Sequence, residues 1–244
     1  MRDDSDMTSV LGDRRPSPGA VIIPFPGRTA SRPLPSAAHV ATASSPAPLQ
    51  SLLSVISTAI DASTQPHAPS LLAAAGAVAG FAAQQALVME GGATWIQPQR
   101  AEHLDRLLLS ESRADRSLWH TLRHTAHDLG TQHLPEPQKL LASTLKCVGT
   151  SQFGVITLPL EYRLKEQPQA ALIRHWPRVR DVLVRSRITP THWPELTAAM
   201  CARRITLDHR QVPPHVALRI IMQSALAMAL IEPRLIPGAT LKSE

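Results

Sequence analysis

Rings are scarce in this chain: three Phe, one Tyr and four Trp among 244 residues. A core without rings must be built from Leu, Ala, Val and Ile, a set that favours helix over sheet when Ala and Leu dominate it. Cysteine is scarcer still. Cys147 and Cys201 stand far apart without a CxxC, which argues against a disulfide scaffold and a zinc ribbon and fits a reduced, cytoplasmic setting. Neither GxxxxGK[ST] nor GxGxxG occurs, so no nucleotide cofactor is expected. The first residues, MRDDSDM, are acidic and have no apolar h-region, so no signal peptide is expected.

What the chain does have is one long, nearly uncharged run, Ser70 to Glu90. About 20 residues of helix reach roughly 30 Å, enough to cross a bilayer. Gly76 and Gly80 form a GxxxG, and Ala75, Ala79 and Ala83 add a ridge of small residues. Such a ridge marks close helix contact in lipid or in a soluble core. Three features favour the soluble core. Alanine, which is barely hydrophobic, fills much of the run; Gln84 and Gln85 lie inside it; and no cationic cluster or aromatic belt flanks it. The reading is a buried central helix, with a membrane span as the weaker alternative.

Around that run the pattern is helical. Residues 1–47 are rich in Pro, Ser and Arg without helical periodicity and read as a disordered tail. Inside the tail lies an apolar island, with Val21, Ile22, Ile23 and Phe25 as candidate partner-docking residues, in cis or in trans. Residues 48–237 read as one all-α domain of several helices, and residues 238–244 as a disordered C-terminus. Leu49, Leu52, Leu53, Ile56 and Ile60 recur at helical spacing. Beyond the central run, prolines mark several helix starts. Pro98 opens one helix, Asp115 or a neighbour starts another that stops at Gly130, and Pro135 and Pro137 start a third. The C-terminal third reads as helices near 169–176, 177–186, 194–203 and 213–231, the last apolar almost all round. Residues 154–160, GVITLPL, read as an extended connector or a small edge strand.

The net charge of +6 is unevenly placed. Residues 161–244 hold thirteen Lys and Arg against seven Asp and Glu, so the excess belongs to the C-terminal third. Arg178 and Arg185 are seven apart, as are Arg180 and Arg187, which predicts paired rows on an exposed helix face opposite Val179, Val182 and Leu183. Arginine rows suit phosphate or carboxylate recognition, and Arg203, Arg204 and Arg210 add charge nearby in sequence. Trp176 and Trp193 are candidates for stacking on bases or, more simply, for core positions at helix junctions.

Catalytic signatures are weak. His120, His124 and His127 fall within about 60° of one another on a helix, but Arg116 and Arg123 flank them and no HExxH glutamate is present. No metal is expected there. The segment Gly149 to Gly154 misses the GxSxG elbow around Ser151 by one residue. Cys147 follows Lys146 yet sits in an apolar helical pattern.

The leading expectation is therefore a soluble, non-enzymatic helical protein that acts by binding a partner, most simply another protein. Nucleic-acid or polyanion binding through the Arg-rich third is the second. An enzyme whose site gathers His120 or His124 with Glu102 or Glu111 is the third, and membrane association through residues 70–90 the last.

Overall fold

The computed structural model describes residues 46–58, 67–91 and 97–239. The described residues form eight α-helices and no strand. They are α1 (Pro46–Ser57), α2 (Ala68–Gly91), α3 (Gln97–Leu109), α4 (Leu118–Asp128), α5 (Pro137–Cys147), α6 (Pro168–Arg185), α7 (Trp193–Asp208) and α8 (Pro214–Ala229). The N-terminal tail with its island, Val21, Ile22, Ile23 and Phe25, lies outside the described residues, as do the last residues of the chain.

α2 is the axis of the fold. It is apolar on every side, so it can be stable only if it is wrapped on every side. α8 covers it along the longest seam, and α7, α6, α3 and α1 complete the sheath. By length and composition α2 could cross a membrane, but 89% of its most apolar 18-residue stretch is buried within this chain.

The GxxxG decides how near α8 comes. A β-carbon at Gly76 would collide with the backbone of Ile221, and one at Gly80 with the backbone of Ala225. Only glycine permits that approach. The seam is lined on the other side by Ala217, Ile221 and Ala225, all fully buried. Gln84 joins the same two helices by hydrogen bonds, its Nε2 donating to the carbonyl oxygens of Ala229 and Ile231 at 2.9 and 2.8 Å. It thereby supplies a donor to Ala229 O at the end of α8 and to Ile231 O just beyond it, while its own Oε1 is buried without a partner.

Helix ends follow local chemistry. Ser117, rather than Asp115, caps α4: its Oγ accepts from His120 N–H at 3.0 Å. Asp115 instead accepts from Ser110 Oγ at 2.5 Å. Gly130, at φ +83°, closes the helix in a Schellman arrangement, its N–H on His127 O and Thr131 N–H on Ala126 O.

One expectation is corrected here, and one pair of alternatives is decided for the connector. Residues 169–186 are one helix, not two. Pro177 lies inside α6, where it removes a backbone donor at a cost of about 3 kcal/mol. Ala171, Leu172, Trp176, Val179 and Leu183 stay in helical phase across it and are all buried, and the proline itself is on the exposed side. Burial of the stripe outweighs the lost bond. Residues 154–159 carry no strand; they run as an irregular connector into a short 3₁₀ turn, Leu160–Tyr162. The connector is held at Ile156, buried, whose N–H donates to Gln167 Oε1 at 3.3 Å.

Candidate functional site: the outer face of α6

α6 has two unlike sides. Its inner side carries the buried stripe and His175, which is 3% exposed. Desolvation, reinforced by Arg174 and Arg178, lowers its pKa to about 4, and the nearby backbone of Val55 in α1 opposes the shift. It is therefore neutral near pH 7 and acts as a pin between α1 and α6.

The outer side exposes Ile173, Pro177 and Val184, the last at 51%. At 100° per residue these three lie within about 40° of each other, a narrow apolar strip in the open. The exposed Asp181 lies next to the strip, with Arg178 and Arg185 beyond it, and the half-buried Arg180 lies at the other edge. Arg185 pairs with Asp181 at 2.9 Å, both well exposed, and Arg174 is tied to Glu166. No carboxylate among the described residues lies within ion-pair distance of Arg178, Arg180 or Arg187. The Nε of Arg180 is buried without a hydrogen-bond partner.

Arg187 departs from the expected rows. α6 ends at Arg185, and Arg187 sits one residue past the cap at φ +55°. Its N–H bonds Val184 O at 2.9 Å and that of Ile188 bonds Leu183 O at 3.1 Å. That is a Schellman closure with arginine where glycine is usual. Arg187 is exposed at the end of the strip rather than in register with Arg180.

Of the other basic residues, Arg203 and Arg210 are exposed. Arg204 is not part of any surface field: it is 7% exposed and bonded to Asp208 through both Nε and Nη2. Its Nη1 also reaches Ser57 Oγ at 3.3 Å, tying α7 to the end of α1. Burial raises the Asp208 pKa, and the Arg204 contact opposes that rise.

The tryptophans belong to the interior. Trp176 is fully buried and Trp193 2% exposed. Trp176 meets Phe81 edge-on at 4.7 Å and Trp193 at 6.1 Å, and Trp193 Nε1 donates to Ile188 O at 2.9 Å. Base stacking on these two rings is ruled out by their position.

The other sequence candidates do not assemble. His124 and His127 are exposed and His120 is half-buried, with Leu118, Leu122 and Ala126 buried behind them. His124 bonds Asp128 at 3.0 Å. Glu102 and Glu111 are within ion-pair range of arginines, at 3.9 Å from Arg106 and 3.8 Å from Arg123. No group of three or more potential ligands that could hold a metal occurs among the described residues. Ser151 is exposed in a turn, with no strand before it among the described residues. Cys147 edges a cleft of about 40 Å³ with Ser143, Gln152 and Gln223, room for a water or two.

No protein-family model, curated protein or solved structure matches this chain. The apolar members of the outer face escaped sequence reading because Ile173 and Val184 look like core residues. Their signal was positional: both fall about 80–140° away from Val179 and Leu183 on the helical wheel, off the buried stripe.

Proposed function

We propose that this chain is a non-enzymatic, cytoplasmic binding protein that takes an anionic partner on the outer face of α6. One observation carries the reading: Arg178 and Arg187 are exposed with no carboxylate among the described residues in ion-pair range, beside Arg185 and an open strip of Ile173, Pro177 and Val184. Arginine without an internal partner is free to form bidentate pairs with carboxylate or phosphate. The apolar strip favours an acidic protein segment over nucleic acid, because a phosphodiester backbone offers nothing to cover Ile173 and Val184. Burial of Trp176 and Trp193 points the same way, since it removes the rings on which bases would stack.

The test is binding of the full chain to a polyglutamate peptide, short duplex DNA and single-stranded RNA over a range of salt. The expected result is polyglutamate binding that weakens with salt and falls at least about tenfold when Arg178, Arg180, Arg185 and Arg187 are all changed to alanine. Thermal unfolding of each variant separates lost binding from lost fold. Tighter binding to DNA or RNA with the same arginine dependence would move the nucleic-acid reading ahead. Binding unaffected by the four substitutions would remove α6 from the function.

A further inference from the structure

The sequence itself carries a segment of the chemistry that the outer face of α6 lacks. Residues 1–13, MRDDSDMTSVLGD, hold four Asp against one Arg, a net −3. Met7, Val10 and Leu11 follow helical i, i+3, i+4 spacing. Wound as a helix, the segment carries Met7, Val10 and Leu11 on one side with Asp3 among them, Asp4 on one flank and Asp6 and Asp13 on the other. Its apolar residues match the strip of Ile173, Pro177 and Val184, and its acids match Arg178, Arg180 and Arg187, while Arg185 already pairs with Asp181 at the edge of the strip. The island around Phe25 is apolar but has no acid to offer the arginines.

Reach permits it. α1 packs against the inner side of α6, where His175 lies. The chain preceding α1 therefore starts near α6 but must pass around it to reach the outer face. About 32 residues, 14–45, join the acidic segment to α1, and an unstructured linker of that length has a root-mean-square reach of roughly 30 Å. α6, with 18 residues, is about 27 Å long. A tethered segment within reach acts at an effective concentration of about a millimolar, enough to fill a weak site.

We infer that the acidic segment Asp3–Asp13 of this chain is the resident occupant of the α6 outer face, docking in cis and competing with any external acidic partner. The inference rests on the reading of α6 as an acid-binding face. A face that is filled about four-fifths of the time by its own chain binds an outside ligand about fivefold more weakly than an empty one.

Two measurements on the full-length chain test it. The first is affinity for a polyglutamate peptide at low salt, compared between the wild type and a variant with Asp3, Asp4, Asp6 and Asp13 all changed to Asn. The expected outcome is about fivefold tighter binding by the Asn variant, with the gain abolished by Arg178→Ala/Arg185→Ala. Equal affinity in the two chains, with the arginine dependence intact, overturns cis docking and leaves the binding face standing. Loss of arginine dependence in both chains overturns the face and the docking together.

The second is paramagnetic broadening from a nitroxide at Ser5→Cys in a Cys147→Ser background. Selective broadening of amides in 173–187, absent from α4 and reversed by the Asn substitutions, is the expected pattern. Uniform broadening, or broadening seen only when spin-labelled and isotope-labelled chains are mixed, overturns it; the latter result makes a second copy the occupant.

Discussion

The seam between α2 and α8 and the outer face of α6 differ in how closely their groups are packed. In the seam, Gly76 and Gly80 meet backbone directly and Gln84 caps the end of α8. On α6, Arg178 and Arg187 reach no carboxylate among the described residues, and Ile173 and Val184 face water. The same contrast divides the arginines of the basic third. Arg204 is buried and forked onto Asp208, whereas Arg178 is exposed and free of ion pairs among the described residues. Charge counted along a sequence thus overstates the field available to a partner, because a buried pair contributes almost nothing outside.

The contrast is broken most severely at Arg204. Changing it to Met leaves Asp208 buried without its cation, and the loss of stability should be about 3–5 kcal/mol, read by urea unfolding. Arg178→Ala, read the same way, should cost less than about 0.5 kcal/mol. If the two substitutions cost the same, the distinction between structural and free arginines fails. Gly80→Ala tests the seam itself. Its new β-carbon meets the backbone of Ala225 rather than a side chain that could turn aside, so a loss of about 3 kcal/mol is expected. Stability equal to wild type would show that α8 can back away from α2 without penalty.

Much of the inner architecture was legible. The apolar run of α2 and the GxxxG spacing announce a helix that must be enclosed and closely approached, and the proline positions mark several helix starts. The outer face was legible only in part. Arg178 and Arg185 follow from periodicity, but the place of Arg187 depends on where α6 stops, and nothing in the arginine spacing marks that end. Pro177 misled for a related reason. A proline is a strong local breaker, and only the continued phase of Trp176, Val179 and Leu183 across it shows that burial prevails. Arg204 could not be told from Arg203 by composition. Its i, i+4 spacing to Asp208 was the available signal, but such pairs are more often solvent-exposed than buried.

His175 gives the comparison a dependence on pH. Its folded pKa of about 4 lies below the ordinary 6.5, so between these values the unfolded chain binds a proton that the folded chain does not. Stability is then fully present above about pH 6.5 and declines as pH falls toward 4, by roughly 2–3 kcal/mol at pH 4.5. Unfolding free energies of the wild type and His175→Gln at pH 7.5 and 4.5 check this. Glu166 and Asp208, whose pKa values are raised by burial, are common to both proteins, so the difference between the two pH slopes isolates His175. Identical slopes would sink the assignment of the imidazole as a buried neutral pin.

The smallest effect is also the sharpest. Arg187 occupies a left-handed position at φ +55°, where a side chain costs roughly 1–2 kcal/mol. Glycine relieves that strain but gives back about 0.5–1 kcal/mol through the freedom it adds to the unfolded chain. Arg187→Gly should therefore raise stability by about 0.5–1 kcal/mol, seen as a rise in the urea midpoint at unchanged slope. The same variant should weaken polyglutamate binding about two- to threefold, the value of one exposed ion pair. A chain that becomes more stable and binds less well has kept a strained arginine at a position of use. If it becomes more stable and binds equally well, Arg187 only ends the helix, and the binding face contracts to Arg178, Arg180 and Arg185 beside the apolar strip.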